Sequence, residues 1–195
     1  MMRLIRKTII VIALVLTIKT QAADLEAGLE ALRKGDSKAA LTILQPLSEQ
    51  GNPIAQRYLA YLYMHGYGVK KDPEKAVALF RLAADQNDLL SEYHIGASYL
   101  YGVGVERDDI KAVEWFMRAA EKGQPNAQFN LGLMYRLGRG VPQDLKQAVK
   151  WFTVAAEQGH TRAQTILGYL FTEGLGVDKD VKTAVKWLKL AAEKD

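Results

Sequence analysis

The chain contains no cysteine. That absence excludes disulfide staples, a thiolate nucleophile, cysteine-ligated zinc and a lipid attached at a processed cysteine. Stability must come from packing. Histidine is scarce too, with only His65, His94 and His160. They hold three different places in the sequence pattern, no HExxH motif accompanies them, and no zinc site is expected. A bilayer-spanning helix needs about 20 apolar residues, and the apolar run Thr8 to Ile18 has 11. A surplus of one charge is also missing from most of the chain. Four of the 26 basic residues (Arg3, Arg6, Lys7 and Lys19) fall within residues 1–22, which hold no acid, so the remainder is balanced against its 22 acids. The sequence pI near 9.1 therefore belongs to the N-terminal segment and gives no argument for a nucleic-acid partner.

What is present at the start is a positive cluster, the short apolar run, and Thr20-Gln21-Ala22. Small residues at the −3 and −1 positions suit signal peptidase, so residues 1–22 read as a cleaved secretory signal, with the mature chain starting near Ala23. This predicts a periplasmic or secreted bacterial protein with no membrane span after cleavage.

The rest is built on a period of 36 residues. Gly68, Gly104, Gly140 and Gly176 recur at that step, as do Gly66, Gly102, Gly138 and Gly174. The joining segments read GYGVKKD, GVGVERD, GRGVPQD and GLGVDKD. Each precedes an apolar stretch: KAVALFRLAA, KAVEWFMRAA, QAVKWFTVAA or TAVKWLKLAA. Ala112, Trp115, Phe116, Ala119 and Ala120 lie at i, i+3, i+4, i+7 and i+8, one helical stripe. Asp72, Asp108, Asp144 and Asp180 stand just ahead of these helices, where a carboxylate caps free N–H groups and opposes the helix dipole. A second helix follows each break, after Asn52-Pro53, Asp88, Gln124-Pro125 and His160, and ends at the paired glycines.

Three further expectations follow from the pattern. Gly96, Gly132 and Gly168 sit inside second helices, at about 1 kcal/mol each relative to alanine. They predict close approach of a neighbouring helix, opposite the Ala-Ala pairs. Trp115, Trp151 and Trp187 are expected in the core. So are Leu59, Ile95, Leu131 and Leu167, together with Tyr63, Tyr99, Tyr135 and Phe171.

These residues resemble the Sel1-like repeat family, a relative of the tetratricopeptide repeats. Ala127, Leu131, Gly132, Tyr135, Gly138, Gly140, Val141, Asp144, Ala148, Trp151, Ala155, Ala156 and Gly159 match its pattern in one pass. The departures from the pattern are Ser91 in place of Ala, Asn87 in place of Gly, and Leu79 where the other copies have Trp. The resemblance implies an all-α fold, a right-handed α-solenoid of helix-turn-helix repeats covering 23–195. It comprises a variant N-terminal hairpin at 23–51 and repeats near 52–87, 88–123, 124–159 and 160–195. It also implies an adaptor or scaffold role with a partner held on a concave face of second helices.

No chemistry competes with that reading. The GxG segments follow helices rather than strands and recur four times as punctuation, so they are not phosphate cradles. No motif groups a nucleophile with a base. No enzyme activity and no cofactor are expected. Columns that vary between copies are free of the shared packing, and in the second helices they are rich in aromatic residues, the common anchors of protein interfaces. The candidate partner-binding residues are Tyr58, Tyr61, Tyr93, His94, Phe129, Asn130, Leu133, Arg136 and Tyr169. The expected partner is a protein or peptide of the cell envelope. A second copy, bound through the C-terminal helix near Trp187, is the alternative. A self-assembling envelope protein and an enzyme acting on cell wall or β-lactams are the competing functions.

Overall fold

The structure, a computed structural model, describes residues 20–193. The expected leader lies outside the described residues as far as residue 19, and residues 20–22 open the first described helix. The described residues form ten helices and no strand. Helix α1 covers 20–33. It is followed by α2 (Ser37–Glu49), α3 (Pro53–His65), α4 (Pro73–Ala84), α5 (Leu89–Tyr101) and α6 (Asp109–Glu121). Then come α7 (Pro125–Leu137), α8 (Leu145–Glu157), α9 (Thr161–Glu173) and α10 (Val181–Ala192). No described helix is long and apolar enough to cross a membrane. The described residues divide into two compact units, the first ending at Asp88 and the second beginning at Leu89.

The helix starts follow the sequence logic. Asp72, Asp108, Asp144 and Asp180 each accept hydrogen bonds from backbone N–H groups of the first turn, as expected, and Asp36 does the same for α2. The second helices α3, α7 and α9 are capped by the side chains of Asn52, Gln124 and His160. At the other end of α7, Gly138 adopts a left-handed φ of 65° and its N–H bonds the Met134 carbonyl. A Cβ would be strained there. Two residues on, Gly140 lies against the Asp109 backbone at the start of α6, with no room for a side chain. Gly176 lies in the same way on Leu145, and Gly68 on Ser37.

In the first unit α2 packs on α3 and α3 on α4. Leu44, Leu59, Leu62 and Phe80 fill its interior. In the second unit each helix from α5 to α10 packs on the next. Ala148, Phe152, Ala155 and Ala156 of α8 meet Ala163, Leu167 and Leu170 of α9.

Two sequence expectations need correction. The close approaches at the helical glycines exist, but opposite a different residue. A Cβ on Gly132 would come within 2.7 Å of the Phe152 ring, one on Gly96 within 2.7 Å of the Phe116 ring, and one on Gly168 within 2.5 Å of Leu188. The Ala-Ala pairs are not what faces these glycines. For the same reason the tryptophans are not the principal core column. Phe80, Phe116 and Phe152 are at most 1% exposed, whereas Trp115 and Trp151 are half-buried and only Trp187 is buried. The glycine leaves a slot for the ring one position after the tryptophan. Filling it with phenylalanine is worth about 1.5–3 kcal/mol. Of the other expected core positions, Leu59, Ile95, Leu131 and Leu167 are buried, as are Tyr63 and Tyr99, while Tyr135 and Phe171 are partly covered.

Candidate functional site

The candidate residues fall on two surfaces, one in each unit. In the first unit, α3 ends in an aromatic cluster. Tyr61 and His65, one helical turn apart, have ring centroids 4.3 Å apart. The His65 ring stacks on Tyr67 at 5.3 Å, and Tyr61 lies 6.2 Å from Tyr67. Tyr61 and Tyr67 are 42% and 50% exposed, so this is apolar surface facing water. Beside them is a mostly apolar hollow of about 350 Å³ lined by Leu32, Gly35, Ser37, Tyr58, Tyr61, Leu62 and Tyr67. Tyr58 is half-buried, with the Arg57 guanidinium 4.7 Å from its ring. Arg57 in turn pairs with Asp88 at 3.0 Å. Sequence reasoning singled out Tyr58 and Tyr61 but missed Tyr67, which lies in the glycine turn rather than in the helix.

In the second unit, α5, α7 and α9 supply the remaining candidates. Tyr93 is half-buried, 5.2 Å from His94 and 6.0 Å from Phe116. Burial raises the pKa of its hydroxyl above the ordinary value, and Tyr101 adds to this, while a hydrogen bond with Asn130 and the charge of Arg162 oppose it. Asn130 also donates to the Asn126 carbonyl at 2.9 Å. Leu133 is partly buried against the core, Tyr169 is 53% exposed, and Arg136 is half-buried.

Phe129 is a correction. The variability of its column pointed to a surface residue, yet it is 3% exposed. Its ring lies 5.8 Å from Phe152 and stacks at 4.5 Å on His160, with the Arg162 guanidinium 4.9 Å from its centroid. A large ring at this position reaches the neighbouring helix start, where Thr165 in the next copy cannot. His160 both packs on this ring and caps α9. Its Nδ1 accepts the Ala163 N–H at 3.2 Å, so the cap requires the neutral ring. Burial, together with Arg162, lowers its pKa.

A polar column inside the repeats was not read from the sequence at all. Gln56, Gln128 and Gln164 are buried and donate to the carbonyls of Ser48, Ala120 and Ala156, at 3.2, 3.1 and 3.0 Å. Gln86 and Gln158 donate to the Oε1 atoms of Gln56 and Gln128. At this position the repeat starting with α5 has Glu92, which is fully buried. Its Oε1 accepts from Lys122 at 2.8 Å and Arg118 at 3.1 Å. The signal was the recurring Ala-Gln pair at 55–56, 127–128 and 163–164, replaced by Ser91-Glu92.

Other charges serve the framework. Asp109 bonds Arg139 and Arg107, which hold its carboxyl well below the usual carboxylate range. Among the described residues no group of three or more His, Asp or Glu side chains is placed to hold a metal.

Comparison with known proteins agrees with this architecture. The chain is 35% identical to a Sel1 repeat protein from Oxalobacter formigenes, over 87% of this chain and 69% of that one, with a TM-score of 0.82. A protective antigen present in uropathogenic Escherichia coli strains and displaying an SLR fold is 31% identical, over 89% of this chain and 38% of that one, with a TM-score of 0.81. The cysteine-rich protein B of Helicobacter pylori is 29% identical over 64% of this chain and 90% of its own, with a TM-score of 0.51. A search of curated proteins finds no match. The Sel1 repeat family profile matches four times, at 53–88, 89–124, 125–160 and 161–195, each match starting one residue later than the register expected from sequence. The chain belongs to the Sel1 repeat family, an all-α fold of the helix-turn-helix solenoid class.

Proposed function

We propose that this protein is an exported, non-catalytic adaptor that holds a segment of another envelope protein on its second helices. Proteins of the Sel1 repeat family generally mediate protein–protein interaction and are typically non-catalytic scaffolds. The observation that carries the reading is the water-facing Tyr61–His65–Tyr67 cluster beside its apolar hollow. Aromatic side chains are costly to leave in water and are the residues that most often anchor a partner. Export rests on the leader pattern of residues 1–22.

The test is in-cell crosslinking and pull-down of the full chain, with Tyr58→Ala/Tyr61→Ala/Tyr67→Ala as the comparison. The triple variant should keep its far-UV CD spectrum and lose the captured partner. Undiminished capture by the folded variant would overturn the assignment of this surface. N-terminal sequencing of the mature protein tests export separately, with Ala23 as the expected first residue.

A second reading, self-association, is favoured by one observation. On α10, Val181, Val185 and Leu188 are 58%, 44% and 43% exposed, although Phe116 and Phe152, the counterparts of Leu188, are fully covered. Sedimentation of the full chain separates a self-assembling protein from a monomeric adaptor.

A further inference from the structure

The second unit treats its arginines unequally. Arg107 and Arg139 both pair with Asp109, and Arg118 pairs with Glu92. None of these three lies on a second helix. Arg136 on α7 and Arg162 on α9 do, and neither has a carboxylate partner among the described residues. Arg136 is half-buried, and its Nε is shielded from water with no acceptor. A donor in that state lacks the hydrogen bond that would offset its burial. The Arg162 guanidinium rests on the Phe129 ring, 4.9 Å from its centroid.

The row of second helices adds no free acid of its own beside them. The helices α5, α7 and α9 contain two acids in all, Glu92 and Glu173. Glu92 is fully buried and already bonded to two cations. Glu173 is exposed at the last residue of α9 and pairs with neither arginine. The row therefore presents two cations without an ion-pair partner on the helices that carry Tyr93, Asn130 and the partly exposed Leu133.

The spacing of the two arginines adds a length. Phe129, which carries Arg162, and Arg136 are at i and i+7 on α7, on one face of that helix. Two turns of helix separate them, about 10 Å along the axis. An extended chain of the polyproline II type, with three residues per turn and about 3.1 Å rise, covers that distance in about three residues and brings the first and fourth side chains to one face.

We propose that the α5–α7–α9 face binds an extended acidic peptide segment whose two carboxylates lie three positions apart, one on Arg136 and one on Arg162. Leu133 packs against the residues between them, and the Tyr93 hydroxyl and the Asn130 amide take backbone groups. This deepens the adaptor reading and rests on it.

The probe is a short fluorescein-labelled peptide with two glutamates three positions apart among serines and leucines, titrated into the full-length protein by anisotropy. The same peptide with glutamines is the control. The glutamate peptide should bind more tightly and weaken as salt rises. Arg136→Gln and Arg162→Gln should each weaken it about tenfold while both variants keep the parent far-UV CD spectrum and a cooperative melting transition. Equal binding of the two peptides, no binding of either, or parent-like affinity in both arginine variants would overturn the proposal. So would preferential binding of a single-stranded oligonucleotide that is lost in the same variants. Failure here with retained, Tyr61-dependent capture in the pull-down would remove the acidic ligand and leave the adaptor reading intact.

Discussion

The repeats at 89–124 and 125–160 have helices of the same length, the same capping aspartate and the same buried phenylalanine, yet they satisfy one interior position by opposite means. In 125–160 it is neutral: Gln128 bonds a helix-end carbonyl and accepts from Gln158. In 89–124 it is ionic: Glu92 draws in Arg118 and Lys122, each of them partly exposed. The fold requires a paired polar group at this place and is indifferent to whether the pair is charged. The two solutions differ in what happens when they are damaged. An amide that loses its partner loses a hydrogen bond, whereas a buried carboxylate that loses its cations is left as an uncompensated charge.

The largest effects should be the same in both repeats, because the phenylalanine column is shared. Phe116→Ala and Phe152→Ala are each expected to cost about 3–5 kcal/mol in urea unfolding. Trp151→Ala, at a half-buried site, should cost about half as much. A larger loss for the tryptophan would reverse the assignment of the core column. Arg118→Ala/Lys122→Ala should cost about 3–5 kcal/mol, and adding Glu92→Gln should restore most of it. Absence of that rescue would show that the loss came from packing instead. Converting the ionic pair to the neutral one, by Glu92→Gln/Lys122→Gln, should leave stability within about 1 kcal/mol of the parent.

The smallest effect concerns His160, where the third family repeat meets the fourth. Its folded pKa is depressed, so the unfolded chain binds more protons as pH falls below the ordinary value of 6.5. Stability from this group is then fully present above the unfolded pKa and declines as pH falls toward the folded one. Thermal melts from pH 7 to 5 should show that decline, and His160→Asn, which keeps a capping oxygen, should flatten it. His160→Ala should cost about 1 kcal/mol at neutral pH.

Much of this architecture was legible in the sequence because its signals are local or periodic. Asp144 caps because it stands before an apolar stripe, and Gly138 turns the chain because a left-handed residue is needed after Leu137. The choice between Trp151 and Phe152 was not legible. Adjacent residues both fall within a broad apolar stripe, and only the slot left by Gly132 on another helix decides between them. Gln128 was missed because a polar residue in a helix reads as surface unless its distant carbonyl partner is known. Phe129 misled for the opposite reason. Variation in its column reflected different fillings of one partly enclosed space as well as freedom from packing. The unpaired state of Arg136 and Arg162 needed coordinates, since their helices say nothing about which carboxylates come near.

The glycine turns set a rule for how such a chain can change length. Gly140 and Gly176 each lie directly on the backbone at the first turn of an earlier helix, with no space for even a methyl group. Adding or removing one residue between a turn and its landing place would put a side chain there, or would rotate the helices out of register. Whole copies of 36 residues preserve every landing place. The repeat is therefore also the smallest step by which this architecture can be extended or trimmed without rebuilding its interior.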